Sequence, residues 1–189
     1  MQETNNIKLV ITDFDGTLTN TFDANLKSYR KAFDIAGLPF SEDLYKKCFG
    51  IRFDGLMDAF GIKDEKTKTL IKHNKAKFYK ENLNSIILNE SLLAILKFFK
   101  SQAIKIALAS TASRQNLLNV LEYFRLDTFF DIIVCGEDVK KGKPAPDIYL
   151  KVLENANVKS ENAITFEDSV VGYEAAKAAN IKCIGIQTF

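Results

Sequence analysis

Two of the acidic clusters in the 189-residue sequence could do chemistry together, and each follows a run of apolar residues. The first contains Asp13 and Asp15, and the second contains Glu167 and Asp168. Carboxylates held close together repel one another unless a cation shares the site. Oxygen ligands without histidine or cysteine favour a hard ion, and Mg²⁺ usually takes one or two carboxylates together with a substrate phosphate. The pattern therefore predicts a Mg²⁺ site.

Hydroxyl groups and a lysine elsewhere in the chain complete a set suited to phosphoryl transfer. Ser110 and Thr111 follow another apolar run, and Lys143 lies in a loop that contains Pro144 and Pro146. A hydroxyl, the free N–H groups at a helix N-terminus and a lysine ammonium can together bind an anion such as phosphate. Combined with paired carboxylates, they favour phosphoryl transfer through a carboxylate nucleophile.

The apolar runs that precede these residues predict the strands of one parallel sheet. They span residues 7–11, 104–109, 132–135, 163–166 and 183–186. Continuous apolarity is expected of strands that helices cover on both faces, and segments of helical period separate the later runs. We therefore expect an α/β fold with a Rossmann-like, doubly wound, five-stranded parallel sheet. Ligands of such sheets bind at the carboxyl ends of the strands, where all the polar clusters fall.

A long insertion separates the first two predicted strands. Roughly ninety residues lie between these two strands, where one crossover needs only a dozen or two. Helical spacing of apolar residues recurs within the insertion at 22–37, 41–48, 52–60 and 65–82. We therefore assign residues 1–16 and 86–189 to an α/β core domain and residues 17–85 to an inserted all-helical cap.

Composition and charge exclude several classes of protein. With 47% hydrophobic and 26% charged residues, the chain is expected to fold, and its net charge of +2 gives no reason to expect a nucleic-acid or membrane partner. Cys48, Cys135 and Cys183 are too far apart to suggest a disulfide framework or a zinc site. No apolar run approaches the roughly 18 residues of a membrane span. We expect a cytoplasmic monomer.

The order of these motifs along the whole chain resembles that of the haloacid dehalogenase superfamily. The matching residues are Asp13-Phe14-Asp15-Gly16-Thr17-Leu18-Thr19, then Ser110, then Lys143-Pro144, then Glu167-Asp168-Ser169 with Gly172. Four motifs in register are far more specific than a single Asp-x-Asp-Gly. The helical insertion after the first motif is similar to that of the small-cap subgroup, which includes phosphoglycolate phosphatases and β-phosphoglucomutase.

The resemblance implies roles for the acidic residues. Asp13 would be the nucleophile that becomes an aspartyl phosphate, and Asp15 would be the general acid and base. The Asp13 carboxylate, the backbone carbonyl of Asp15 and the Asp168 carboxylate would hold Mg²⁺, with Glu167 as a second acidic group at the metal.

The resemblance also implies a phosphate site and a contact from the cap. Ser110 and Lys143 would bind the transferring phosphoryl group, with Thr111 beside them. Arg52 lies where relatives often have a substrate-binding arginine, although a surface position is an equally good interpretation. Asn25 occupies the place, counted from Asp13, where β-phosphoglucomutase has a histidine.

We therefore predict a Mg²⁺-dependent phosphatase that hydrolyses a small phosphate monoester, such as a sugar phosphate or a phosphoglycolate-like compound. Asp15 disfavours dehalogenases and phosphonate-cleaving relatives, which lack an aspartate at that position. A β-phosphoglucomutase-like hexose-phosphate mutase is the alternative, and Asn25 favours hydrolysis over it. A non-catalytic module that binds a phosphorylated ligand is the third possibility, against which the intact set of Asp13, Asp15, Lys143 and Asp168 argues.

Overall fold

Five parallel strands form the central sheet of the computed structural model, which describes residues 7–187. All strands in chain order are β1 (Leu9–Thr12), β2 (Thr19–Asn20), β3 (Ile87–Leu88), β4 (Lys105–Ala109), β5 (Ile132–Val134), β6 (Ala163–Glu167) and β7 (Lys182–Gly185). The sheet order is β5-β4-β1-β6-β7, so β1 is central and pairs in parallel with β4 and β6. The predicted doubly wound, five-stranded sheet is confirmed.

Helices cover both faces of this sheet, which explains why its central strand is apolar on both sides. The helices are α1 (Phe22–Ile35), α2 (Glu42–Lys47), α3 (Phe53–Ala59), α4 (Glu65–Glu81), α5 (Glu90–Ser101), α6 (Arg114–Tyr123), α7 (Asp147–Ala156) and α8 (Val170–Ala178). Val10 belongs to an apolar core with residues of α5 and α6, whereas Leu9 and Ile11 belong to a second core with residues of α7 and α8. Burial of each such aliphatic side chain contributes about 1.5–3 kcal/mol.

Helices α1–α4 form the cap and have an apolar core of their own. Tyr29 and Phe33 of α1 pack there with Tyr45, Met57 and Ile71 from the other three cap helices. The sequence encodes the starts of α2 and α4, because a side-chain oxygen of the residue before each helix accepts a first-turn N–H. The predicted all-helical cap is confirmed.

The observed boundaries of these elements lie within two residues of the predicted ones. Glu167 is the last residue of β6 rather than the first residue after that strand. The prediction omitted the antiparallel β2–β3 pair, because two residues are too few to produce a periodic pattern. This pair lies where the chain leaves the sheet for the cap and returns from it.

The proposed domain boundaries at residues 16–17 and 85–86 stay a prediction, and residues 1–6 and 188–189 of the core segments lie outside the described residues. Between residues 7 and 187, none of the helices has the length and apolar character needed to cross a bilayer.

Candidate active site

The end of β1 places Asp13 beside Lys143. The Asp13 N–H donates to the carbonyl of Phe166 at 3.0 Å, which continues the sheet ladder by one residue and fixes the carboxylate at the sheet edge. The Lys143 Nζ lies 2.5 Å from Oδ1 of Asp13 and 2.5 Å from Oε1 of Glu167. All three side chains are almost fully buried. The single Lys143 ammonium neutralises part of the charge of the two carboxylates, which have little contact with water.

Burial and charge oppose each other in this cluster. Burial raises the pKa of Asp13 well above its ordinary value; Lys143 lowers that pKa, and Glu167 raises it further. Burial lowers the pKa of Lys143, but Asp13, Tyr149 and Glu167 raise it by more, and the net shift is well above the usual range. Lys143 therefore stays charged, and Asp13 depends on nearby positive charge to ionise.

Glu167 is held in place from several sides. The Tyr149 hydroxyl donates to its Oε1, and the Ser169 hydroxyl lies 3.4 Å from its Oε2. A Cβ at Gly172 would overlap the Glu167 carboxylate, so the first turn of α8 can approach this closely only without a side chain. These contacts orient the glutamate toward Lys143.

We expect Gly172→Ala to lower the free energy of unfolding by about 1–3 kcal/mol, the usual cost of overpacking. Activity should also fall, because the new methyl group displaces the Glu167 carboxylate from its position. Urea unfolding and phosphate release measure the two effects. Gly185→Ala is the matched control, since no heavy atom lies within 4 Å of a Cβ built there. Equal stability of the two variants would contradict the packing argument.

Asp168 is positioned by the segment that follows β1. Thr17 Oγ1 donates to Oδ1 of Asp168 at 2.7 Å. Gly16 has φ +92°, and a Cβ there would overlap the Asp168 carboxylate. Both the backbone conformation and the close approach therefore require glycine at position 16.

The carboxylates of Asp13, Glu167 and Asp168 form a cluster that could hold a metal ion. Each offers an oxygen that lies within 4.8 Å of the oxygens of the other two. The donors are all hard oxygens, so the set suits a hard divalent cation. The three residues of this cluster come from two strand ends, as the sequence predicted.

Asp15 has a different environment from Asp13, although the two are only two residues apart. Its Oδ1 accepts from the Thr21 hydroxyl, and Thr21 Oγ1 in turn accepts from Asn25 Nδ2 at 3.0 Å. Burial raises the pKa of Asp15, while the Thr21 hydrogen bond and the charge of Lys75 lower it. A carboxyl with a raised pKa that does not face Lys143 directly suits proton transfer.

Ser110 and Thr111 follow β4 at the same sheet edge. Ser110 is buried, and its Oγ accepts from the Ala112 N–H at 3.0 Å. Thr111 is half-buried. Its backbone carbonyl lies so close to Gly136 that a Cβ at position 136 would be 2.5 Å from the carbonyl oxygen of Thr111. Both residues are at the predicted edge, and their contact with phosphate stays a prediction.

A cavity of about 410 Å³ lies between the cap and the core. Among the predicted site residues, Asp15, Arg52 and Thr111 line it, whereas Asp13 and Lys143 do not. Its cap side carries aromatic and polar side chains, including those of Asn25, Tyr29, Tyr45, Lys72 and Lys75. Asp15, the acid/base candidate, therefore lines a cavity that is large enough for a small organic molecule.

Lys75 is a buried cationic residue of this cavity that the sequence analysis missed. It is buried on α4, with Nζ 4.2 Å from the ring centroid of Tyr79 and 5.4 Å from that of Tyr29. Burial lowers its pKa to about 8, and Asp15 opposes the shift. The spacing of Ile71, Lys75 and Tyr79 could have identified it, because a lysine in the apolar stripe of a helix faces inward.

Arg52 lies at the start of α3 and contacts the core. Its Nη2 donates to the Gly136 carbonyl at 2.7 Å, and its Nη1 donates to the Lys140 carbonyl at 3.3 Å. It thus lines the cavity while its guanidinium binds backbone oxygens of the core.

Comparison with known proteins agrees with this geometry. The sequence model of the haloacid dehalogenase-like hydrolases matches residues 10–186. This chain belongs to that family. It is 39% identical over 184 residues to a phosphorylated carbohydrates phosphatase of Thermotoga maritima, covering 94% of this chain and 84% of the relative. It is 29% identical to a β-phosphoglucomutase of Bacillus subtilis, covering 95% and 83%.

Solved structures of this family share the fold over nearly the whole chain. CbbY from Rhodobacter sphaeroides, in complex with phosphate, aligns with a TM-score of 0.88 and 25% identity over 97% of this chain and 87% of that one. The chain lies in the haloacid dehalogenase subfamily with a small helical cap, as the sequence motifs indicated. It is an enzyme of the phosphatase type.

Proposed function

We propose that this enzyme hydrolyses small phosphate monoesters of sugars with Mg²⁺, using Asp13 as nucleophile and Asp15 as general acid and base. The different environments of these two carboxylates carry the proposal. Asp13 is fixed beside Lys143 at the end of β1, whereas Asp15 accepts a hydrogen bond from Thr21 and lines the cavity. The similarity to a phosphatase of phosphorylated carbohydrates supports sugar phosphates as substrates.

The reaction would proceed in two steps on these residues. In the first, an Asp13 carboxylate oxygen attacks phosphorus, the bond from phosphorus to the ester oxygen breaks, and Asp15 gives its proton to the leaving alkoxide. In the second, Asp15 takes a proton from water, whose oxygen attacks phosphorus and releases phosphate from Asp13. The raised pKa of Asp15 supports this role, because it keeps a proton available for the first step.

Lys143 would also bind the transferring phosphoryl group. Its Nζ already lies 2.5 Å from Asp13, so a phosphoryl group on that carboxylate would come within reach of the ammonium. Ser110 and Thr111 would supply the hydroxyl and backbone N–H donors on the neighbouring strand end. Developing negative charge on the phosphoryl oxygens is stabilised best by such fixed donors.

Asp13, Asp168 and the Asp15 carbonyl would hold the Mg²⁺, with Glu167 as a further acidic group. A bound Mg²⁺ supplies positive charge that favours ionised Asp13 and balances the charge of a phosphoryl group. The cluster of Asp13, Glu167 and Asp168 oxygens supports this assignment. The close contacts of Glu167 with Lys143 and Tyr149 make charge balance the larger part of its role.

A hexose-phosphate mutase is the alternative, because a β-phosphoglucomutase is among the relatives. Asn25 occupies the position, counted from Asp13, where β-phosphoglucomutase has a histidine. Its side-chain amide donates a hydrogen bond to the Thr21 hydroxyl, which donates to Asp15. An amide cannot titrate near neutral pH as an imidazole does. This contact favours hydrolysis by water over transfer back to a sugar.

Phosphate release tests the proposal. Sugar phosphates, phosphoglycolate, nucleotides and pyrophosphate would be incubated with the protein, with Mg²⁺ and with EDTA. We expect Mg²⁺-dependent release, fastest from sugar phosphates. Absence of release together with isomerisation of hexose 1-phosphate primed by a bisphosphate would establish the mutase instead.

Lys75→Met is expected to raise KM for the sugar phosphate at least about tenfold and to change kcat much less, since a charged hydrogen bond contributes about 1.5–3 kcal/mol. In the unaltered protein, KM should rise as pH passes through about 8, where Lys75 loses its charge. Lys80→Met, an exposed lysine on the same helix, is the control. The same pH dependence of KM in Lys75→Met would remove Lys75 from the substrate site.

A further inference from the structure

Arg52 connects the cap to the core loop of residues 136–143, which ends at Lys143. Its two hydrogen bonds reach carbonyls that lie four residues apart in this loop, those of Gly136 and Lys140. A guanidinium presents several N–H donors in a fixed plane, so it can span two carbonyls as a single ammonium cannot. We infer that Arg52 is a positioning residue, which sets the conformation of the 136–143 loop and thereby couples the position of the cap to Lys143.

The glycines of the loop support this inference. A Cβ at Gly142 would lie 2.9 Å from Cδ of Arg52, so the arginine stem rests directly on the residue before Lys143. A Cβ at Gly136 would lie 2.5 Å from the Thr111 carbonyl oxygen. Gly136 thus packs against the predicted phosphate site, and Arg52 contacts the loop at both Gly136 and Gly142.

This role differs from that of a substrate-binding arginine. An arginine that binds only the substrate would affect substrates according to their size and charge. An arginine that positions Lys143 affects the binding of every phosphate, including inorganic phosphate, which does not extend into the cap. The inference rests on the proposed function only through the phosphate-binding role of Lys143.

Gly142→Ala tests the contact between Arg52 and the loop without removing the positive charge of Arg52. Position 142 does not need a positive φ, and the atom nearest to the new Cβ is near the end of a flexible side chain. The substitution should therefore displace Arg52 while the loop backbone remains able to fold. Arg30→Ala is the control, because Arg30 is an exposed cap arginine whose guanidinium pairs with Glu42.

Hydrogen exchange of the 136–143 loop and calorimetric binding of inorganic phosphate with Mg²⁺ would be measured in the full chain. The N–H groups of Asp138 and Lys141 are hydrogen-bonded, so their hydrogen exchange is slowed in the unaltered protein and can become faster in a variant. We expect Arg52→Ala and Gly142→Ala to speed exchange of this loop severalfold and to weaken phosphate binding about fivefold, with unchanged melting temperatures. Arg30→Ala should change neither.

Unchanged exchange in both Arg52→Ala and Gly142→Ala would overturn the inference. So would weaker phosphate binding in Arg52→Ala alone, with normal exchange, because Arg52 would then act by touching the ligand. Faster exchange and weaker phosphate binding in a protein that hydrolyses no ester would support the inference while contradicting the proposed function.

Discussion

Asp13→Asn is expected to lower the rate of phosphate release by about four orders of magnitude or more, because the amide removes the oxygen anion that is proposed to attack phosphorus. The side chain keeps nearly the same size, and the loss of one charge from a cluster that is rich in carboxylates should leave the fold intact. Phosphate release measures the effect, and thermal unfolding checks the fold.

Asp127→Asn is the matched control for this substitution. Asp127 is exposed and lies outside the candidate site, so its change should alter phosphate release less than twofold. More than about one per cent residual activity in a contamination-free Asp13→Asn preparation would exclude Asp13 as the nucleophile.

Lys143→Met is expected to reduce both stability and activity. It leaves the buried carboxylates of Asp13 and Glu167 without their ammonium partner, and breaking a buried ion pair on one side costs about 3–5 kcal/mol. Phosphate affinity should fall as well, because Lys143 is the cation proposed to bind the phosphoryl group. Urea unfolding without metal and phosphate release with Mg²⁺ measure the two effects.

Lys151→Met provides the comparison for Lys143→Met. Lys151 pairs with Glu154 at 2.8 Å on the surface of α7, where such a pair contributes at most about 1 kcal/mol. Added Mg²⁺ should restore part of the stability of Lys143→Met, since a bound cation neutralises the same carboxylates. Equal stability of the two variants would show that the buried cluster does not depend on Lys143.

The sheet and the acidic cluster could be predicted from the sequence for a simple physical reason. Strands covered on both faces are apolar along most of their length, so β1 and β6 are recognisable as apolar runs that Asp13 and Glu167 closely follow. Parallel strands bring their carboxyl ends to one edge, so the sequence alone predicts that Ser110 and Lys143 lie near the acidic residues.

The contacts between the cap and the core could not be predicted in this way. The pairing of Arg52 with carbonyls of the 136–143 loop depends on how two separate apolar cores are oriented, and no local pattern encodes that orientation. Tyr149 was likewise missed, because a tyrosine on the buried face of α7 has the same pattern as any core aromatic residue. Its hydroxyl contact with Glu167 distinguishes it from such a residue.

A covalent intermediate on Asp13 is the most direct test of the central claim. The protein would be mixed with its best sugar phosphate and Mg²⁺, quenched in acid within milliseconds, and reduced with borohydride, which converts an aspartyl phosphate to homoserine. We predict homoserine at position 13 in the peptide mass spectrum, and none in Asp13→Asn. Rapid turnover with intact aspartate at position 13, or with homoserine at another aspartate, would contradict the account.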